Sequence, residues 1–248
     1  MIGRFKYHDK VFFGTIQDDR VVVEKTLYCD TFSIDELQVL TPSIPSKIIC
    51  VGLNYVDHAR ELNMTMPDHP ILFLKPNSSV IGDGDRIIYP NEVEQVDYEA
   101  ELAVVIGKRC RNVPADRAMD VILGYTCFND VTARDIQKID TQWTRAKSYD
   151  TFAPFGPYIA QPSDIDISDL FIRSRVNGKV KQDSNVNNMI FDVPVLIEFI
   201  SHVMTLEKGD IIATGTPEGV GEMLPGDTVE IEIEGIGILK NQVIKDSL

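Results

Sequence analysis

Apolar residues in this chain cluster into short runs separated by turn residues, and the period of each run names an element. Residues 47–53, Lys-Ile-Ile-Cys-Val-Gly-Leu, read as a buried strand. So do residues 71–74, ended by Lys75-Pro76-Asn77, and residues 101–106 and 122–128. Residues 229–233 alternate Val/Ile with Glu, the period of a strand with one wet face. Asn177-Gly178 marks a hairpin turn after residues 172–176. Earlier in the chain, Val21-Val22-Val23 follows the turn signal Gln17-Asp18-Asp19-Arg20. One segment has a clear helical period, residues 195–204, with Leu196, Phe199, Ile200 and Val203 on one side. Many strands and few helices argue against a regularly alternating α/β fold and predict a mixed, mostly β architecture. The stretch 40–46 holds two prolines and two serines, which suits a linker. It divides a small N-terminal β domain, residues 1–45, from a larger domain, residues 46–248.

Composition narrows the function classes. The chain has 248 residues, 44% hydrophobic and 25% charged, enough to bury a core without staples. Its 24 basic residues face 38 acidic ones, a net charge of −14, which speaks against binding nucleic acid or an anionic membrane through phosphates. No apolar run approaches membrane-spanning length, and Met1–His8 lacks the apolar run of a signal peptide, so the expected location is the cytoplasm. Of the four cysteines, Cys29, Cys50, Cys110 and Cys127, none forms a C-x-x-C pair; buried reduced thiols are expected.

The chemistry concentrates in a few places. Glu99 and Glu101 are two apart and lead into the most apolar run of the chain. On a strand they share a face, and two buried carboxylates side by side repel unless a divalent cation joins them. Oxygen-only ligands favour Mg²⁺ or Mn²⁺ and admit Ca²⁺. The alternative is a solvated strand edge. Asp130 follows the strand at 122–128; if a helix starts there, Asp130, Arg134 and Gln137 share a face, and the alternative is a plain helix N-cap with an ion pair. His58 and Glu61 are three apart and can touch on one helical turn, as a general-base pair or as an inert surface pair. A loop at 62–70 follows and has the composition of a mobile lid. His8, His69 and His202 read as surface residues. Lys147, among small, aromatic and proline residues, needs an anion if buried. The turn 213–221 is glycine-rich without being a phosphate loop, and its Thr216 offers a hydroxyl.

Taken in order, these strings resemble the fumarylacetoacetate hydrolase family. They are Val51-Gly52-Leu53-Asn54-Tyr55 with His58 and Glu61, then Phe73-Leu74-Lys75-Pro76, and the 97–107 string with its paired glutamates. Asn129-Asp130-Val131-Thr132-Ala133-Arg134-Asp135, Lys147-Ser148-Tyr149-Asp150-Thr151-Phe152 and the 214–221 turn complete the set. The match runs from about 47 to 244; Ala100 stands where the family often has glycine. The resemblance implies a β-sandwich roll, a homodimer, and Mg²⁺ or Mn²⁺ on Glu99, Glu101 and Asp130. It gives His58 and Glu61 the activation of water, Lys147 the partnering of developing negative charge, and Arg134, Gln137 and Thr216 contacts to a small oxo acid. The implied reaction is metal-dependent hydrolysis of a C–C bond in a 2,4-dioxo acid of acylpyruvate or fumarylpyruvate type. The same enolate chemistry would serve an oxaloacetate decarboxylase or tautomerase, or a 2-hydroxyhepta-2,4-diene-1,7-dioate isomerase. A non-catalytic binding protein would keep the fold and the metal but has no need of both His58 and Glu61.

Overall fold

The computed structural model describes residues 1–24 and 29–247. Its centre is the strand Ala100–Ile106, every position of which is buried. From Leu102 to Ile106 the run is continuously apolar because both faces are covered. Leu102, Val104 and Ile106 belong to one core with Ile231, Ile233 and Leu239, while Ala103 and Val105 belong to another with Cys50, Phe128 and Ile211. The strand lies between Ile122–Asn129 and Ile211–Ala213, antiparallel to both. Ile48–Gly52 pairs parallel to Ile211–Ala213, and Ile71–Lys75 closes that edge of the sheet.

A second sheet of five strands runs Lys179–Asn185, Phe171–Val176, Thr228–Ile233, Gly237–Lys245 and Arg86–Tyr89. Its hairpin turns at Asn177 and Gly178, both with positive φ (51° and 75°), the type I′ geometry that matches strand twist. A small third sheet joins Thr132–Ala133, Val96–Tyr98 and Gly221–Glu222. The mixed, mostly β fold is therefore as expected. Among the described residues the longest helix is Val193–Val203, started by Asp192, whose side chain accepts from Val195 N at 3.0 Å. Its buried stripe is Val193, Leu196, Ile197 and Ile200; Val203, placed on the apolar side by sequence, is exposed.

The strands Ile2–Tyr7, Lys10–Gln17, Arg20–Glu24 and Cys29–Ser33 form an antiparallel meander that continues the large sheet, Ile2 pairing with Ile159 of the strand Ala153–Ala160. The meander has its own small core of Phe5, Val21, Val23 and Leu37. Cys50 and Cys127 are buried free thiols and Cys110 is half-buried; the side chain of Cys29 lies outside the described residues. Among the described residues no helix is long and apolar enough to cross a membrane.

Candidate active site

One cavity of about 350 Å³ gathers most of the chemically marked residues. Its floor is acidic. Oxygen atoms of Glu99, Glu101 and Asp130 lie within 4.8 Å of one another, and all three residues are buried. The main sheet supplies Glu101, on the central strand, and Asp130, just after the neighbouring strand Ile122–Asn129; Ala100 pairs with Asn129 and so brings the two ends level. Asp130 N donates to Glu99 O at 2.9 Å, which fixes the turn.

Three cations surround this floor. Lys147 Nζ donates to Glu99 Oε2 at 2.9 Å and to Asp130 Oδ2 at 2.7 Å. Lys75, only 1% exposed, donates to Asp130 Oδ1 and, at 2.9 Å, to Val131 O. Arg134 Nε donates to Asp97 Oδ2 at 2.7 Å, Nη2 to Glu99 Oε1 at 2.5 Å and Nη1 to Gln137 Oε1 at 2.5 Å. Burial works to raise the Glu99 carboxyl, but the Lys147 and Arg134 charges beside it outweigh that and hold it at about 2. Burial alone would lower Lys147, yet Asp130 and Glu99 keep it raised. Lys75 is lowered, because burial outweighs its single carboxylate.

Glu101 differs. No cation hydrogen-bonds to it among the described residues; its donor is Gly215 N, at 2.9 Å from Oε2. Burial, then the charges of Asp130 and Glu99, push its carboxyl well above the usual range. That donor needs a glycine. Gly215 has φ of +98°, and a Cβ there would meet Asn54 Cβ at 2.8 Å. A buried carboxylate facing two others without a cation of its own is the deficit that a hard divalent cation fills, so the trio fits such an ion.

The short helix Val56–Glu61 places His58 Nδ1 2.9 Å from Glu61 Oε2, and Glu61 Oε1 accepts from Gly219 N at 3.1 Å. Its root is pinned by fully buried Asn54. That amide donates to Phe191 O at 3.0 Å and Thr214 O at 2.7 Å, and accepts from Phe191 N at 2.8 Å. His58, Leu62 and Met64 line the cavity. Thr216 also lines it; its hydroxyl accepts from Gln182 Nε2 at 2.8 Å, which leaves the hydroxyl proton to donate elsewhere.

Every marked residue except Glu61 thus lines the cavity, and Glu61 touches it through His58. One expectation is corrected. No helix starts at Asp130: the chain turns into the strand Thr132–Ala133, and the helix is Arg134–Ile139. Arg134 therefore pairs with Asp97 and Glu99, not with Asp130, whose counter-charges are lysines from elsewhere in the chain. Sequence reading missed Lys75, Asp97, Lys138 and Trp143. Lys75 closes an apolar strand, Asp97 is in phase with the paired glutamates and Trp143 is the chain's one tryptophan, whereas Lys138 carries no local signal. His8, His69 and His202 are exposed, as expected.

The fumarylacetoacetate hydrolase C-terminal domain matches residues 47–244. The chain belongs to the fumarylacetoacetate hydrolase family. Its relatives include the mitochondrial oxaloacetate tautomerase of Xenopus laevis, 44% identical over 223 residues, covering 86% of this chain and 70% of the relative. The crystal structure of 5-carboxymethyl-2-hydroxymuconate delta-isomerase from Mycobacterium smegmatis matches with a TM-score of 0.91 at 44% identity, over 100% of this chain and 99% of that one. Maleylpyruvate hydrolase from Sphingobium sp. SYK-6, in complex with manganese(II) ion and pyruvate, matches with a TM-score of 0.83 at 29% identity over 99% of both chains. The family to which the chain belongs contains enzymes of three reaction types, tautomerase, isomerase and hydrolase.

Proposed function

We propose that this protein is a divalent-cation-dependent enzyme that moves a proton on the enol of a 2-oxo acid. The observation that carries the reading is one cavity with a Glu99–Glu101–Asp130 floor and a His58–Glu61 pair on its lid. Mg²⁺ or Mn²⁺ held by the three carboxylates would draw in the carboxylate and 2-oxo oxygens of the acid and offset the charge of its enolate. Thr216 and the free amide N–H₂ of Gln137 orient those oxygens. Lys147, at the cavity wall, sets a positive charge where oxygen gains electron density. His58 takes the proton from C3 or returns it there, and Glu61 holds the ring and stabilises its charged form. Leu62 and Met64 add apolar surface to the cavity lining. The tautomerase and isomerase relatives, both 44% identical, support a proton transfer over bond cleavage.

Hydrolysis of a C–C bond in an acylpyruvate is the second reading. It is favoured by partial exposure of the pair, 12% for the His58 side chain and 37% for Glu61, which gives water access to the base, and by the maleylpyruvate hydrolase relative. The two separate in one experiment with Mn²⁺ saturating. Loss of the enol absorbance of oxaloacetate or phenylpyruvate, faster than the buffer rate and abolished by EDTA, is expected. Pyruvate release from acetylpyruvate or fumarylpyruvate without that activity would instead establish the hydrolase. Turnover unchanged by EDTA would refute both.

A further inference from the structure

Thr216 offers a hydroxyl to the cavity, and a hydroxyl can either give or accept a hydrogen bond. What decides between the two lies behind the cavity lining, at Gln182. This amide is 1% exposed and is the one buried position of the strand Lys179–Asn185. Strand pairing explains why a polar residue points inward. Ser174 pairs with Gln182 but Arg175 pairs with Val180, so Lys181 is an extra residue, a bulge that re-aims its neighbour. Gln182 N donates to Ser174 Oγ at 3.1 Å, and a buried amide then needs partners for its side chain as well.

Each end of that side chain meets a group that can play only one part. Ala100 N can only donate, and it donates to Gln182 Oε1 at 3.0 Å. Pro217 O can only accept, and it accepts from Gln182 Nε2 at 2.9 Å. The amide is therefore fixed in one orientation, and its second N–H goes to Thr216 Oγ1 at 2.8 Å. Thr216 is 5% exposed, and its own hydroxyl proton has no acceptor among the described residues. With the amide proton on one side of Oγ1, the hydroxyl proton is left for the cavity.

The same amide reaches the acidic floor. Ala100 lies between Glu99 and Glu101, and the turn that carries Thr216 is joined to that strand at two more points. Thr214 N donates to Leu102 O at 3.0 Å, and Gly215 N donates to Glu101 Oε2 at 2.9 Å. Hydroxyl and carboxylates thus sit on one hydrogen-bonded frame, with Gln182 bonded to both of its halves.

Resting on the function proposed above, we infer that Gln182 is a positioning residue: it makes the Thr216 hydroxyl a fixed donor, aimed at an acceptor oxygen of a ligand held on the acidic floor. Gln182 itself acts only through Thr216. Oxalate, which carries only acceptor oxygens at neutral pH, is the probe, titrated calorimetrically with Mn²⁺ saturating. A hydrogen bond to a charged group is worth about 10–100-fold in affinity, so Thr216→Val should weaken oxalate by that much. Gln182→Met keeps the length and the charge but frees the hydroxyl among three staggered positions, so it should weaken oxalate about threefold or more. In the Thr216→Val background Gln182→Met should cost nothing further. That non-additivity separates aiming a hydroxyl from merely shaping the turn, which would cost the same in either background. Should Gln182→Met fail to fold, because Ala100 N and Pro217 O lose a buried partner, Gln182→Glu keeps the Ala100 bond and takes the hydroxyl proton. Its loss should be larger alone than in the Thr216→Val background. No loss from Thr216→Val, no loss from the Gln182 variant, or equal losses in both backgrounds overturns the assignment, while oxalate binding to wild type leaves the proposed function standing. Failure of oxalate to bind wild type with Mn²⁺ refutes the proposed function and this inference together.

Discussion

Glu101→Gln tests the acidic floor most directly, because it keeps the shape of the side chain and removes one charge. In the metal-free protein that charge is a liability. Burial and the neighbouring Asp130 and Glu99 raise the Glu101 carboxyl above its ordinary 4.5. Between the unfolded and folded values the native state holds a proton that the unfolded chain has released, so stability falls as pH rises through that window. In EDTA the variant should melt above wild type at pH 8, and the difference should shrink toward pH 4.5. With a divalent cation the order reverses. At a free concentration 100 times Kd, wild type gains about 2.7 kcal/mol, or ~8 °C in Tm for a chain of this size. If loss of one ligand weakens affinity ~100-fold, the same concentration gives the variant only about 0.4 kcal/mol, near 1 °C. Differential scanning fluorimetry with Mn²⁺ and with EDTA reads both effects. A metal-induced rise in Glu101→Gln as large as that of wild type would show that Glu101 is not a ligand, and the acidic floor would lose its function.

Other consequences are open to equally simple measurements. Glu61→Gln should lower turnover by about 10²–10⁴-fold through loss of the positioned base, with oxalate affinity in Mn²⁺ unchanged; parallel loss of both would instead make Glu61 a structural prop. Glu99, held at about 2 against an ordinary 4.5, contributes stability that is complete above pH 4.5 and lost as pH falls through 2. Urea midpoints from pH 6 to 2.5 in EDTA should show that acid limb in wild type. Glu99→Gln should flatten it and cost about 3–5 kcal/mol near neutrality, because Lys147 and Arg134 lose a buried partner. Gly52→Ala should displace Trp143, by about 1–3 kcal/mol of overpacking, and shift its emission; an unchanged spectrum would mean the wall yields elsewhere.

Much of this architecture is written in local periodicity. Leu102–Ile106 reads as unbroken apolar sequence because both faces of that strand are covered, and the Asn177-Gly178 turn reads from two residues alone. The His58–Glu61 contact was also legible, since three residues on a helix bring side chains together whatever the fold. What stayed hidden is long-range pairing. Nothing near Lys75 in the chain says that its ammonium meets Asp130, 55 residues away. Helical spacing would put Arg134 on one face with Asp130 if a helix began there, but a two-residue strand intervenes and Arg134 pairs with Asp97 and Glu99. Trp143 and Lys138 entered the cavity through sheet and helix packing, which no window along the sequence contains.

The cavity has two parts that open on different clocks. The floor rides on a strand hydrogen-bonded along both edges in the middle of the largest sheet, so its amides exchange with solvent only when the whole molecule unfolds. The lid is a helix of six residues, too short to persist without its anchors at Asn54 and Gly219. Its amides exchange by local opening, at a free energy well below the global one. On the proposed function, substrate exchange would need only this helix to move, because none of Glu99, Glu101 and Asp130 is carried on it. Substitutions on the Arg134–Ile139 helix likewise alter the cavity wall without touching the central strand.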